Sequence, residues 1–304
     1  MEVLIIGAAC LDVKGQVTQP LQASTSHPGT IRRNPGGVAR NVAENLGRMG
    51  VEVTLISAIG PDWAGQYILE KTEQSGVDVE HVLVQPDLRS GTYLALHDQE
   101  GQLVAALHDI AALEAITPRY LNDRRRLFRD AQMVVIDSNL SPPTLRTVFR
   151  LAAHYERPVC ADPTSALLAV RLRPFLSQLH MTTPNLEEAV ALLGEKRESR
   201  SPIHIARRLV SKGVHLAVIT LAERGLCYAT PEESGHMPAI DVPIVDRTGV
   251  GDALTAAVIW GLLEKAPVSE AIRLGLSAAA LTLQCRESVC PTLNLERLYD
   301  QLII

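Results

Sequence analysis

The densest piece of chemistry in this chain is Asp246-Arg247-Thr248-Gly249-Val250-Gly251-Asp252-Ala253, which runs straight into an apolar helical stretch ending at Leu263. Two glycines around one small residue let the backbone turn sharply, and a helix start leaves several N–H groups without partners. Those groups and the helix dipole favour an anion, a phosphate above all. An aspartate at the same place would repel a phosphate, so Asp252 needs another use. It makes sense as a general base facing a hydroxyl, while the amides of Gly249, Val250 and Gly251 hold a phosphoryl group in transfer. The plainer alternative is a glycine turn with Asp252 as a helix cap.

Two further segments open helices: Asn34-Pro35-Gly36-Gly37-Val38-Ala39-Arg40-Asn41-Val42-Ala43, and Thr183-Pro184-Asn185-Leu186-Glu187-Glu188. In this order and spacing, the three segments resemble the signatures of the ribokinase-like (PfkB) family of sugar and nucleoside kinases. The resemblance covers essentially the whole chain. It implies one ribokinase-like α/β kinase domain over 1–304, three layers with a mostly parallel central sheet and a small β-sheet lid. It implies ATP as the phosphoryl donor and Mg2+ as its companion. Asn185 and Glu188 stand three apart at a helix start, hence on one face. In the family such a pair orients magnesium and its waters, Glu188 acting through water; the alternative is a helix cap with an exposed glutamate.

Thr220-Leu221-Ala222-Glu223-Arg224-Gly225 is similar to a family loop that usually reads Thr-Leu-Gly-x-x-Gly. Gly225 is kept, whereas Ala222 adds a methyl and restricts φ. Thr220, Gly225 and Thr248 join Asn185 as candidates for holding ATP. Arg247 stands where the family has a small or hydroxylated residue. Asp246 is the implied ligand of a monovalent cation, K+, beside the anion hole.

For the acceptor, Asp12 follows the first strand in Gly7-Ala8-Ala9-Cys10-Leu11-Asp12, at the edge where open α/β sheets bind ligands. Its carboxylate can accept two vicinal hydroxyls; the alternative is a turn or cap aspartate. Gly36, Gly37 and Asn41 suit the same pocket, offering close backbone approach and an amide that donates and accepts. Other segments resemble the branch of the family that phosphorylates the 5′-hydroxyl of pseudouridine. They are Asp12-Val13-Lys14-Gly15, Pro28-Gly29-Thr30-Ile31, His108-Asp109, Asp137-Ser138-Asn139-Leu140-Ser141, Asp162-Pro163-Thr164-Ser165-Ala166 and the Cys285 to Pro291 region. Asn139 is a candidate for a uracil edge. The competing readings are a kinase for ribose, fructose or another nucleoside, and a non-catalytic sugar or nucleotide sensor. A sensor would be expected to lose the base or the anion hole, and Asp252, Gly249 and Gly251 are present. A hydrolase lacks its motifs, since neither Gly-x-Ser-x-Gly nor His-Glu-x-x-His occurs.

The 304 residues, 46% apolar and 21% charged, suit one large α/β domain with an appendage. A net charge of -5 gives no electrostatic case for nucleic acid or an anionic membrane. No stretch reads as a signal peptide or membrane span, so the expected compartment is the cytoplasm. The five cysteines form no Cys-x-x-Cys pair, and the proximity of Cys285 to Cys290 reads as chance.

These residues need a scaffold. Strands are expected at Val3 to Gly7, Val51 to Ser57, Met133 to Ile136, Pro158 to Ala161 and Leu216 to Leu221, with helices between. One helix spans Gly37 to Met49; another is capped by Asp62 and ends before Gly76. Val13 to Arg33 and a hairpin over Thr92 to Leu107 do not fit that alternation. They read as the small separate sheet, with lid segments about 13–34 and 90–109. In the family such a lid covers the substrate and often also forms a homodimer. Arg124-Arg125-Arg126 reads as a solvated helix face.

Overall fold

Val3, Leu4, Ile5 and Ile6 are all sealed from solvent, and they alternate between two cores. A strand buried on both faces shows an unbroken apolar run and needs helices above and below. The computed structural model, which describes residues 2–194 and 201–302, meets that need. Its strands in chain order are β1 Glu2–Ile6, β2 Cys10–Val17, β3 Gly29–Gly36, β4 Glu52–Ile59, β5 Val77–Asp78, β6 Val82–Val84 and β7 Gly91–His97. There follow β8 Leu103–Asp109, β9 Met133–Asp137, β10 Val159–Asp162, β11 Leu179–Thr182, β12 Leu216–Thr220, β13 Leu226–Ala229 and β14 Ser234–Met237.

The large sheet runs β14-β13-β12-β11-β10-β9-β1-β4-β5, with β6 beside β4. Its pairings are parallel except for β12 with β13 and β13 with β14 at one edge. Helices Val38–Arg48, Val250–Leu263 and Val268–Leu283 cover one face. Pro142–His154, Leu186–Leu193 and Pro202–Ser211 cover the other. This is the expected three-layer α/β arrangement. Asp62 caps the helix Trp63–Glu73, accepting from the Gly65 N–H at 2.9 Å.

The second sheet has the order β3-β2-β7-β8. Strand β2 pairs antiparallel with β3 and parallel with β7, and β7 and β8 form the hairpin around Asp98 to Gly101. The strands of this small sheet reach further than the sequence suggests: β2 starts at Cys10 and β3 ends at Gly36, so Asp12 and Gly36 belong to the sheet itself.

Two expectations need correction. Cys285 and Cys290 form a disulfide, their Cα atoms 5.5 Å apart. The helix Val268–Leu283 has just ended there, and the intervening residues fold back into a closed ring. Arg124 is not a solvated helix residue. It interrupts the helical run between Asp123 and Arg125 and lays its guanidinium 3.6 Å from the Tyr120 ring centre; Arg125 and Arg126 are exposed. Among the described residues, no helix is long and apolar enough to cross a membrane.

Candidate active site

Gly249 is the N-cap of the helix Val250–Leu263, left-handed at φ 77°, with no side-chain cap bond. A Cβ there would overlap the Ser288 carbonyl oxygen, so only glycine fits. Gly251 has open space around its missing side chain. Asp252, in the first turn, is buried, and its Oδ2 accepts from Asn41 Nδ2 at 2.8 Å. It is not a cap: Gly249 holds that position, and no side chain caps the helix. Burial pushes the Asp252 carboxyl up to about 7; the Asn41 bond opposes this, Asp12 and Asp137 add to it, and Arg40 opposes it. A carboxylate poised there can exchange a proton near neutral pH.

Asp12 is buried on β2 rather than exposed at a strand end. Its Oδ2 accepts from Ser288 Oγ at 3.0 Å, and burial lifts its pKa, against the pull of Ser288 and Lys14. A Cβ on Gly36 would run into this carboxylate, so Gly36 makes room for Asp12. Gly37, at φ 96°, caps the helix Val38–Arg48 and lies against the Ala8 carbonyl. Thus Asp12, Gly36, Gly37, Asn41, Asp252 and Gly249 converge on one place. Ser288 joins them, held in the ring that the Cys285–Cys290 disulfide closes.

Asn185 and Glu188 form a capping box at the start of the helix Leu186–Leu193. Asn185 Oδ1 accepts from the Glu188 N–H at 2.9 Å, and Glu188 Oε2 accepts from the Asn185 N–H at 2.9 Å. Asn185 Nδ2 also donates to Glu188 Oε1 at 2.7 Å, so Glu188 is buried, not exposed. Burial raises its pKa against those bonds. Asp162 lies close by: burial, then Asp252 and Glu188, push its carboxyl well above the usual range. Hard oxygen donors that repel one another suit Mg2+, which takes carboxylates and water.

A cavity of about 780 Å³ opens beside this cluster. Asn185, Thr220, Gly225, Arg247, Val250 and Gly251 all line it. Thr248 is outside that lining and donates its N–H to Asp246 Oδ1 at 2.9 Å. Ala222 holds φ 54°, a left-handed value that costs a residue with a Cβ roughly 1 kcal/mol or more. The alanine therefore keeps the loop shape a glycine would take, at some strain.

Asp246 does not suit a K+ ion. Lys14 Nζ already donates to both its oxygens, at 3.1 and 3.0 Å. Although burial opposes it, the Thr248 N–H and the Lys14 ammonium hold this carboxyl below its usual range. Asn139 lies on the loop after β9; its N–H donates to Asp137 Oδ1 at 2.9 Å and its carbonyl accepts from Arg171 at 3.1 Å.

The residues overlooked as candidates are Asp137, Asp162, Arg40, Lys14 and Ser288. Asp137 is wholly buried and accepts from the N–H groups of Ala8, Ala39 and Asn139, tying together the end of β1 and a helix start. Asp137 and Asp162 end adjacent strands in register. Both follow apolar runs, Met133-Val134-Val135-Ile136 and Val159-Cys160-Ala161, so a carboxylate at a strand's C-terminal end was the available signal. Thr164 sits at φ 63°, rare for a β-branched residue, with its N–H on Asp162 Oδ1 at 2.7 Å. Ser288 lies within the Cys285 to Pro291 stretch, and its contact with Asp12 had no local signal, because 276 positions separate the two.

A family model described as pfkB family carbohydrate kinase matches residues 1–293. A pseudouridine kinase of Escherichia coli is 34% identical over 295 residues, covering 96% of this chain and 94% of that protein. A guanosine-inosine kinase of Exiguobacterium acetylicum is 29% identical over 290 residues, covering 94% of this chain and 96% of that protein. A solved structure of a ribokinase II-like protein from Escherichia coli, in complex with ATP and Mg2+, superposes with a TM-score of 0.86 over 99% of each chain at 18% identity. The chain belongs to the PfkB family of carbohydrate kinases. It is a phosphotransferase whose acceptor is a hydroxyl group.

Proposed function

We propose that this kinase transfers the γ-phosphoryl group of ATP to the 5′-hydroxyl of pseudouridine. The observation that carries the reading is the convergence of Asp252, bonded to Asn41, with Asp12 and the Gly249–Gly251 turn at the rim of the 780 Å³ cavity. Asp12 binds the ribose 2′- and 3′-hydroxyls, with Ser288, Gly36 and Gly37 shaping its surroundings. That anchors the sugar so that its 5′-hydroxyl faces Asp252. Asp252 takes the hydroxyl proton as the oxygen attacks, and the N–H groups of Gly249, Val250 and Gly251 hold the phosphoryl group in flight. ATP lies along the cavity against Thr220, Gly225 and Asn185, with Thr248 supporting the turn. Asp162 and Glu188 are the residues that would hold Mg2+, Glu188 through water; the ion supplies charge neutralisation on the phosphates. Lys14 serves as the cation at Asp246, so no K+ is invoked.

The pseudouridine assignment rests on the 34% identical relative, and the guanosine-inosine kinase at 29% supports a purine nucleoside as the second reading. A panel of pseudouridine, uridine, guanosine, inosine, ribose and fructose with ATP and Mg2+ tests both. Pseudouridine should give the highest kcat/KM, because its extra ring N–H offers a polar contact that uridine lacks. Equal rates on pseudouridine and uridine, or preference for another panel member, would sink the assignment while leaving the kinase.

The lid also offers a dimer surface. Leu94 and Leu107 pair across the sheet on the face away from Asp12, and Ile31 lies on the same face. Ile31 and Leu107 are 66% and 70% exposed. A second copy of this chain is the proposed occupant.

A further inference from the structure

Arg40 heads the fully buried side chains of the described residues in size, at 2% exposure. A guanidinium so placed must be satisfied on every side, because an unpaired buried charge is too costly to keep. Its Nε donates to Thr72 Oγ1 at 3.0 Å, and its Nη2 donates to Glu44. Its Nη1 donates to Asn41 Oδ1 at 3.1 Å and to the Pro35 carbonyl at 3.4 Å. Glu44 is shared with Arg48, whose Nη2 donates to Glu44 Oε1 at 2.7 Å. Two guanidinium groups on one carboxylate leave the trio with a net positive charge.

The contact with Asn41 has a consequence one bond further on. Arginine can only donate, so the amide oxygen of Asn41 must face Arg40. Its NH2 must then face the other way, where Nδ2 donates to Asp252 Oδ2 at 2.8 Å. The amide cannot flip without setting donor against donor. Asp252 is thereby held by one oxygen. Around it stand the carboxyl groups of Asp12 of β2, Asp137 of β9 and Asp162 of β10, with Glu188 beyond Asp162. The Arg40 trio is the positive charge set against them.

We infer that Arg40 is a positioning residue for the base: it locks the Asn41 amide that orients Asp252, and it sets a buried positive charge against the surrounding carboxyl groups. This rests on Asp252 being the base, and the test separates the two. The measurement is kcat/KM against pH from 5.5 to 9, with ATP, Mg2+ and the panel member of highest kcat/KM. Arg40→Met should move the acid limb up by about one pH unit, the low end of what a neighbouring opposite charge does. The loss is then about tenfold below pH 6 and shrinks toward pH 9. Glu44→Gln removes the trio's negative charge and should move the limb the opposite way, to lower pH. Arg40→Lys keeps the charge without the planar fork, so its limb should stay in place while its plateau falls.

A merely structural Arg40 would lower the unfolding temperature and scale the whole profile without changing its shape. If Arg40→Met does not fold, Arg40→Lys and Glu44→Gln carry the test. Profiles of all folded variants that superpose on wild type after scaling, with Asp252→Asn inactive, overturn this inference alone. Wild-type turnover by Asp252→Asn, or no turnover of any panel member by the parent enzyme, overturns the base or kinase reading and this inference with it.

Discussion

Asp252 must be charged to accept a proton, yet it sits where burial and three other carboxylates oppose charge. The conflict places its titration near neutrality rather than in the acid range. The base form grows as pH rises through about 7, so kcat/KM of the free enzyme should rise with pH across that value and then level. An acid limb near pH 4 would mean that Asp252 is better neutralised than its neighbours imply. Asp252→Asn keeps the shape and an acceptor for Asn41 but cannot take a proton. Turnover should fall by roughly two to four orders of magnitude with ATP affinity largely kept; near wild-type turnover would remove Asp252 from the mechanism. Asp252 and Asn41 were legible as residues because each sits in a glycine-flanked helix start. Their bond was not, since 211 positions separate them and only packing of the two helices joins them.

Turns and helix starts place the donors, and the two glycines of the Gly249–Gly251 turn do so differently. Gly249 is demanded by its left-handed φ and by the Ser288 carbonyl, so Gly249→Ala should destabilise the fold by about 1–3 kcal/mol in a urea titration. Gly251 has space for a side chain, so Gly251→Val should leave stability nearly unchanged. It should cut turnover by about a hundredfold or more, the scale of losing one preorganised donor, because the side chain would stand where the phosphoryl group approaches. A Gly251→Val enzyme that is fully active would put the phosphate elsewhere. The small sheet was legible as two stretches out of step with the helix–strand alternation. Its limits were not, because β2 and β3 run on into Asp12 and Gly36 without any change in composition.

At the scale of the whole molecule, the exposed apolar face of the small sheet predicts association. Light scattering across a dilution series should give a dimer that dissociates at low concentration. Leu94→Asp with Leu107→Asp should give a monomer, since two charges would be buried unpaired in the contact. A monomeric parent protein at high concentration would leave that face without the proposed partner.

The buried strand runs, the helix starts and the ordered glycine motifs were set by the sequence itself. Hydrophobic periodicity and backbone freedom are local properties, and Gly37 and Gly249 announce their left-handed turns by being glycine. The tertiary structure alone decided which distant groups share a charge environment. It brought Ser288 to Asp12, Lys14 to Asp246 and Asp162 toward Asp252, and it turned Asn185 and Glu188 into a closed cap. It also joined Cys285 to Cys290, a pair whose spacing carries no information until a helix ends between them and the core. Electrostatic and hydrogen-bond partners depend on separations of a few ångströms, and a chain order does not encode those until the layers have packed.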